Sequence, residues 1–156
     1  TESEHDETAG FGYLPSETTF AAQKRLRQVT ASADFSFLGA HISGRNLLGY
    51  EIHMGQTDFL EKTIRPFQLA QEDNFVSDGA VSSDGLVIGT YIHGIFDDDD
   101  FRRSLLNRLR VQRGWSEIPV QYRYREEKER AYDRLAETVR ASLDMEKLQA
   151  ILEGDR

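Results

Sequence analysis

A chain of 156 residues with 38% hydrophobic and 29% charged side chains is long enough for one domain with a real core and too short for two large ones. Its net charge of −8 argues against nucleic acid as the main partner, because phosphate binding needs a basic face. No window approaches the roughly 18 uninterrupted apolar residues of a membrane span, and the absence of cysteine excludes disulfides, thiolate metal sites and a cysteine nucleophile within this chain.

The charge is unevenly spread. Residues 1–100 carry 6 basic and 17 acidic side chains, whereas residues 101–156 carry 13 basic and 10 acidic ones. Glutamates interleave the basic tail, which reads as a solvated helix surface. Residues 1–10 are acidic and polar, unlike a secretory signal, and read as a flexible arm before a folded part over 11–156. The expectation is a soluble, cytoplasmic, single domain.

Phe11-Gly12-Tyr13-Leu14-Pro15 opens the folded part as a short apolar segment. Thr18 to Val29 mixes helix formers with strand-like alternation and is read as extended. Ala33 to Asn46 contains Gly39 and Gly44 and is read as a loop around a short strand. Leu48 to Met54 predicts a strand, with Leu48, Tyr50, Ile52 and Met54 on one face, Gly49, Glu51 and His53 on the other, and Gly55 at its end. Phe67 and Leu69 suggest another short strand.

Ala80 to Val87 has the form of a hairpin turning at Asp84-Gly85. The returning segment, Leu86 to His93, is nearly all apolar and predicts a buried strand covered on both faces. It ends on His93, turns at Gly94 and feeds a helix capped within Asp97–Asp100. Phe101, Leu105 and Leu109, with Leu106 beside them, mark that helix to about Arg113, with Gly114 past its end. Residues 115–124 form a connector. A long helix with a Tyr132, Leu135, Val139 and Leu143 stripe follows. Asp144 restarts a last helix with Leu148, Ile151 and Leu152 inward, stopping at Gly154.

His93 is the leading candidate for chemistry, because a histidine at a strand end between small residues leaves room for a substrate. The bland alternative is a core histidine satisfied by a carbonyl, and residue types alone leave both open. Glu51 and His53 form a second constellation that could orient a substrate or pair with His93 across a sheet. A two-histidine metal site from His53 and His93 with an aspartate is a further reading, with no spacing that fixes its geometry. The Asp97–Asp100 run is better explained by capping than by Mg²⁺, since no phosphate-cradling glycine loop is present. His5 and His41 have no supporting neighbours in sequence, and no Gly-x-Ser-x-Gly elbow exists.

Three strings carry a resemblance: Phe11-Gly12-Tyr13-Leu14-Pro15 with Thr19-Phe20, Gly49-Tyr50-Glu51-Ile52-His53-Met54-Gly55, and Gly89-Thr90-Tyr91-Ile92-His93-Gly94-Ile95-Phe96-Asp97. Together with Tyr132-Asp133-Arg134-Leu135-Ala136, they resemble the C-terminal glutaminase domain of the cobyric acid synthase family, from about Phe11 to Leu152. The sister enzymes that make cobyrinic acid a,c-diamide usually carry a His-Glu-Phe-His-like string at the first histidine motif, so the match favours cobyric acid synthases.

The resemblance implies an α/β fold: part of a three-layer, class I glutamine amidotransferase-like domain, with a mixed sheet and C-terminal helices. It implies a glutamine-dependent, ATP-driven amidation of corrin-ring carboxylates in cobalamin biosynthesis. His93 matches the family's catalytic histidine, and Glu51 and His53 match a supporting motif near the site. No cofactor is expected on this chain; ATP and Mg²⁺ belong to the N-terminal synthetase domain of the full-length enzyme.

The chain departs from the family pattern in lacking the cysteine of the nucleophile elbow and the synthetase domain. A base without its nucleophile forms no thioester, so the chain alone is expected to be inactive. Glutamine, a corrinoid and the missing N-terminal part are the expected partners, with self-association or tight pairing to cover an exposed sheet edge or apolar face. The competing expectation is a non-catalytic ligand-binding or regulatory module that keeps the fold without its cysteine.

Overall fold

Val29, Ala31, Ala33 and Phe35 are all buried, an alternation that makes this stretch half of a two-sided sheet. In the computed structural model, which describes residues 7–72 and 74–154 apart from the side chains of 21–23 and 25, β1 spans Ser16–Phe37 and pairs antiparallel with β2 over Ala40–Phe59. His5 and most of the acidic arm lie outside the described residues.

The extended reading of Thr18 to Val29 holds. The loop expected over Ala33 to Asn46 does not: it is a continuous hairpin closed by Leu38 and Gly39. Both turn residues are left-handed, with φ of 50° and 73°, which matches the strand twist that a two-residue hairpin needs. Gly39 takes this conformation freely, while Leu38 bears a cost of about 1–2 kcal/mol. The Leu38 carbonyl also accepts a 3.1 Å hydrogen bond from Gln112 Nε2.

One irregularity sets the faces. Ala33 pairs with Gly44 and Ala31 with Leu47, so Ser32 on β1 faces both Arg45 and Asn46 on β2. The extra residue reverses the parity of β2 as far as His53, where a second register shift follows between Phe20 and Arg25 on β1. Ile42 is buried before the bulge, and Leu47 and Glu51 are buried after it. Of the two faces expected for Leu48 to Met54, the one bearing Leu48 and Tyr50 is exposed and the one bearing Glu51 is buried. Strand β2 also continues past Gly55 to Phe59.

Three further strands complete the sheet: β3 over Phe67–Ala70 beside β1, β4 over Phe75–Asp78 beside β3, and a two-residue strand over Ile92–His93 beside β2. The last is β7, because β5 over Ala80–Val81 and β6 over Ile88–Gly89 form a separate hairpin. The order is β4-β3-β1-β2-β7, and the described pairs are antiparallel. Asp84-Gly85 makes the predicted turn, where Ser82 Oγ and then the Leu86 amide hold the Asp84 carboxyl below the usual carboxylate range.

The long strand expected over Leu86 to His93 is broken. Thr90 Oγ1 donates to Asp78 Oδ2 and accepts from the Ile92 amide, which bends the chain from one sheet to the other. His93 is exposed rather than buried.

After Gly94, a 3-10 turn over Ile95–Asp97 leads to α1 over Asp99–Gln112. Asp98 caps it, with Oδ1 accepting from the Phe101 amide at 2.8 Å. Phe101 and Leu105 are buried against the sheet's inner face, with the Phe101 ring 6.2 Å from that of Phe67. Leu106 and Leu109 stay partly exposed. Each fully buried Leu, such as Leu47 and Leu69, contributes about 1.5–3 kcal/mol of burial.

Contacts divide the chain at residue 120. The unit over 121–156 contains α2, Tyr124–Ser142, and α3, Met145–Glu153. Arg130 pairs with Glu126 and Glu127, and Asp144 caps α3 through the Lys147 amide. The stripe predicted as inward is exposed: neither helix has a buried residue, and Leu152 is 78% exposed. Two helices of this length have no sheet of their own to bury against within their unit. Sheet and helices together make the α/β composition expected of a glutamine amidotransferase-like domain. No helix among the described residues is long and apolar enough to cross a membrane.

Gly49 is where β7 approaches most closely. A Cβ there would lie 2.5 Å from the His93 carbonyl oxygen and 2.6 Å from Ile92 Cγ2. Gly49→Ala is expected to push β7 off β2 and to cost about 1–3 kcal/mol in urea unfolding. An unchanged unfolding midpoint would mean that β7 is not docked in this way.

Candidate functional site

The inner face of β2 beyond the bulge brings Glu51 and His53 to the wall of a cavity of about 400 Å³. Its other walls come from the start of β1, the β3–β4 hairpin, and residues 89–91. Glu51 is 4% exposed. Its Oε2 accepts a short charge-assisted hydrogen bond from Nε of Arg27, its register partner on β1. Burial of this carboxylate is tolerable only because the guanidinium neutralises it.

His53 Nδ1 lies 2.7 Å from the Gly55 carbonyl oxygen. A carbonyl can only accept, so Nδ1 carries the proton, and in the neutral ring Nε2 is left as an acceptor. The imidazole stacks on Tyr91 with ring centres 4.3 Å apart. Tyr91 Oη, Thr57 Oγ1 and Thr18 Oγ1 continue as a hydroxyl chain with spacings of 2.6 and 2.7 Å.

Two further charged groups line the cavity. Asp78 is 6% exposed and accepts from Thr90 Oγ1 at 2.5 Å. Arg65 donates through Nη2 to the Ser77 carbonyl and lies over the Phe59 ring at 4.5 Å, while its buried Nε has no acceptor among the described residues.

His93 is elsewhere. It pairs with Tyr50 across β2 and β7 and so shares Tyr50's outer face, whereas Glu51 pairs with Ile92 and points inward. The His93 and Tyr50 rings stack nearly parallel, 5.0 Å apart at 10°. Among the described residues, no hydrogen bond occupies a ring nitrogen of His93. The expected strand-to-helix presentation of this residue is present. A pairing of His93 with Glu51 and His53 is not, because the sheet separates them.

The same separation keeps His53 and His93 from converging on one ion, and no group of three His, Asp or Glu side chains among the described residues is arranged to hold a metal. Asp98 serves as a cap and Asp99 pairs with Arg102, so two of the four aspartates of the run have structural roles. His41 does have a neighbour that sequence order hid: Nε2 is 2.9 Å from Asp34 Oδ1 across the first hairpin.

Sequence reading missed Arg27, Arg65 and Asp78. Arg27 had a usable signal, since it continues the inward alternation of Val29, Ala31 and Ala33 and therefore demands a buried counter-charge. Arg65 and Asp78 had none; they meet through the β3–β4 hairpin.

Residues 1–101 match the CobB/CobQ-like glutamine amidotransferase domain. The chain belongs to this family. It is 43% identical to a cobyric acid synthase of Dehalococcoides mccartyi over all of its length, which is 31% of that protein. Cobyric acid synthases of Citrobacter koseri and Salmonella heidelberg are each 39% identical, over 94% and 92% of the chain and 29% of each relative. The chain thus spans about a third of the length of the curated relatives it matches. No solved structure matches.

Arg27→Met leaves the Glu51 carboxylate buried and unpaired. Arg27 is 44% exposed in its side chain, so water can partly replace it, and the expected loss is about 1–3 kcal/mol. A double-mutant cycle in urea with Glu51→Leu is expected to recover most of that loss. Strictly additive losses would show that the two groups do not depend on each other.

Proposed function

We propose that the chain is the histidine-bearing part of the glutaminase domain of a cobyric acid synthase, and that His93 is its general base. The observation that carries this reading is an exposed imidazole whose ring nitrogens have no partner among the described residues, at a strand–turn–helix junction, in a chain alike to cobyric acid synthases along nearly its whole length. The larger reaction is the ATP-driven amidation of corrin-ring carboxylates in cobalamin biosynthesis, with ammonia drawn from glutamine.

The base role follows from general acid–base logic. His93 takes the proton of a thiol, and the thiolate attacks the side-chain amide carbon of glutamine. When the C–N bond breaks, the imidazolium returns the proton to the departing ammonia. The ring then deprotonates a water that hydrolyses the thioester to glutamate. The thiol must come from outside this sequence, which has no cysteine. Glu51 and His53 act as positioning residues. The Glu51–Arg27 pair fixes the strand to which β7 is bonded, and Tyr50 fixes the plane of the His93 ring.

The described residues include no phosphate-cradling glycine loop and no acidic cluster suited to Mg²⁺. In this proposal ATP and Mg²⁺ stay with other parts of the full-length enzyme, as the resemblance implies, and no step here depends on them. A second reading, a ligand-binding module without catalysis, draws support from the cavity, whose lining does not include His93.

The test is a chimera in which residues 11–152 replace the matching third of the Citrobacter koseri enzyme. It is expected to release glutamate from glutamine, the isolated chain to release none, and His93→Ala to lower the chimera's rate by about 10²–10⁴-fold. An active His93→Ala chimera would remove the base assignment, and an inactive but folded parent chimera would favour the binding module.

A further inference from the structure

The cavity behind Glu51 holds charges that are not fully paired. Glu51 is matched by Arg27. Asp78 is buried with a threonine hydroxyl as its partner and no cation beside it among the described residues. Arg65 spends one donor on the Ser77 carbonyl and has no carboxylate partner there either. These two groups share a corner of the cavity, since Ser77 precedes Asp78 on β4, yet they do not form an ion pair with each other.

A buried carboxylate and a guanidinium left apart in one cavity are each costly, and a ligand bearing both opposite charges relieves both at once. Leu14, Met54, Phe59 and Val76 add apolar wall to the same space. A volume of about 400 Å³ falls at the lower end of small-molecule sites.

We propose that this cavity binds a free α-amino acid as its zwitterion, with the ammonium on Asp78, the carboxylate on Arg65 and the side chain against the apolar wall. Arg65 retains unused N–H donors for a carboxylate, and Phe59 beneath its guanidinium plane restrains where that fork can point. The site lies on the opposite sheet face from His93, so it is separate from the glutamine-hydrolysing role and stands or falls independently of it.

The test uses the unaltered chain, with L-methionine, N-acetyl-L-methionine and L-methioninamide titrated by calorimetry and by ¹H–¹⁵N NMR. The two derivatives each delete one charge, so no variant has to fold. L-Methionine is expected to bind saturably, to shift the amides around Ser77–Asp78 and Thr90–Tyr91, and to lose at least about tenfold in affinity with either derivative. Asp78→Asn, checked for folding by circular dichroism, is expected to lose discrimination between methionine and its N-acetyl form. Equal binding of all three compounds would reduce the cavity to an apolar pocket and overturn the proposal. So would binding that needs the carboxylate alone, or no saturation up to the solubility limit.

Discussion

The bulge on β2 opposite Ser32 decides which side chains meet. Without the extra residue at Arg45–Asn46, the strand would present Leu48, Tyr50 and Ile52 to α1 and expose Leu47 and Glu51. With it, Leu47 joins Phe67, Leu69 and Phe101 in the core, and the outer face receives Leu48 and Tyr50. A one-residue insertion costs a local break in the ladder, and the period of two in a strand then carries its effect along β2 to His53.

Two environments result. On the inner side, Glu51 and His53 face a cavity whose polar groups are largely tied to one another: carboxylate to guanidinium, imidazole to carbonyl, phenol to threonine. On the outer side, His93 stacks on Tyr50 with no hydrogen bond to its ring nitrogens among the described residues, on a face where Leu26 is 71% exposed. The proposed base role needs an accessible nitrogen and a restrained ring plane, and the stacking on Tyr50 supports the second. Leu48 and Tyr50 are exposed on the same face as Leu26 among the described residues.

Much of this was legible in the sequence, and the part that was not has a definite cause. The Asp84-Gly85 turn, the cap within Asp97–Asp100, the Asp144 restart and Gly154 as a stop are local signals, set by backbone preferences within a few residues, and they hold in the structure. The two histidine-bearing strings pointed to the family through residue identity. The two-face division of Leu48 to Met54 holds, but which face is buried could not be read from it, because a bulge is a property of two paired strands and nothing within Leu48 to Met54 reveals it. The same non-local origin hid the Arg27–Glu51 pair, the Asp34–His41 pair and the Asp78–Thr90 bond, each formed by groups brought together through hairpins. Helix amphipathicity in 124–153 was read correctly as a pattern, but a pattern does not say what it packs against.

The separation of His93 from Glu51 and His53 by the sheet is the central claim, and ring-proton NOEs in the intact chain test it most directly. Cross-peaks are predicted between the rings of Tyr50 and His93 and between those of His53 and Tyr91, with none linking His53 to His93. A His53–His93 cross-peak, or a Tyr50 ring in contact with Leu47 and Phe101, would place these residues on one face and contradict the bulged register.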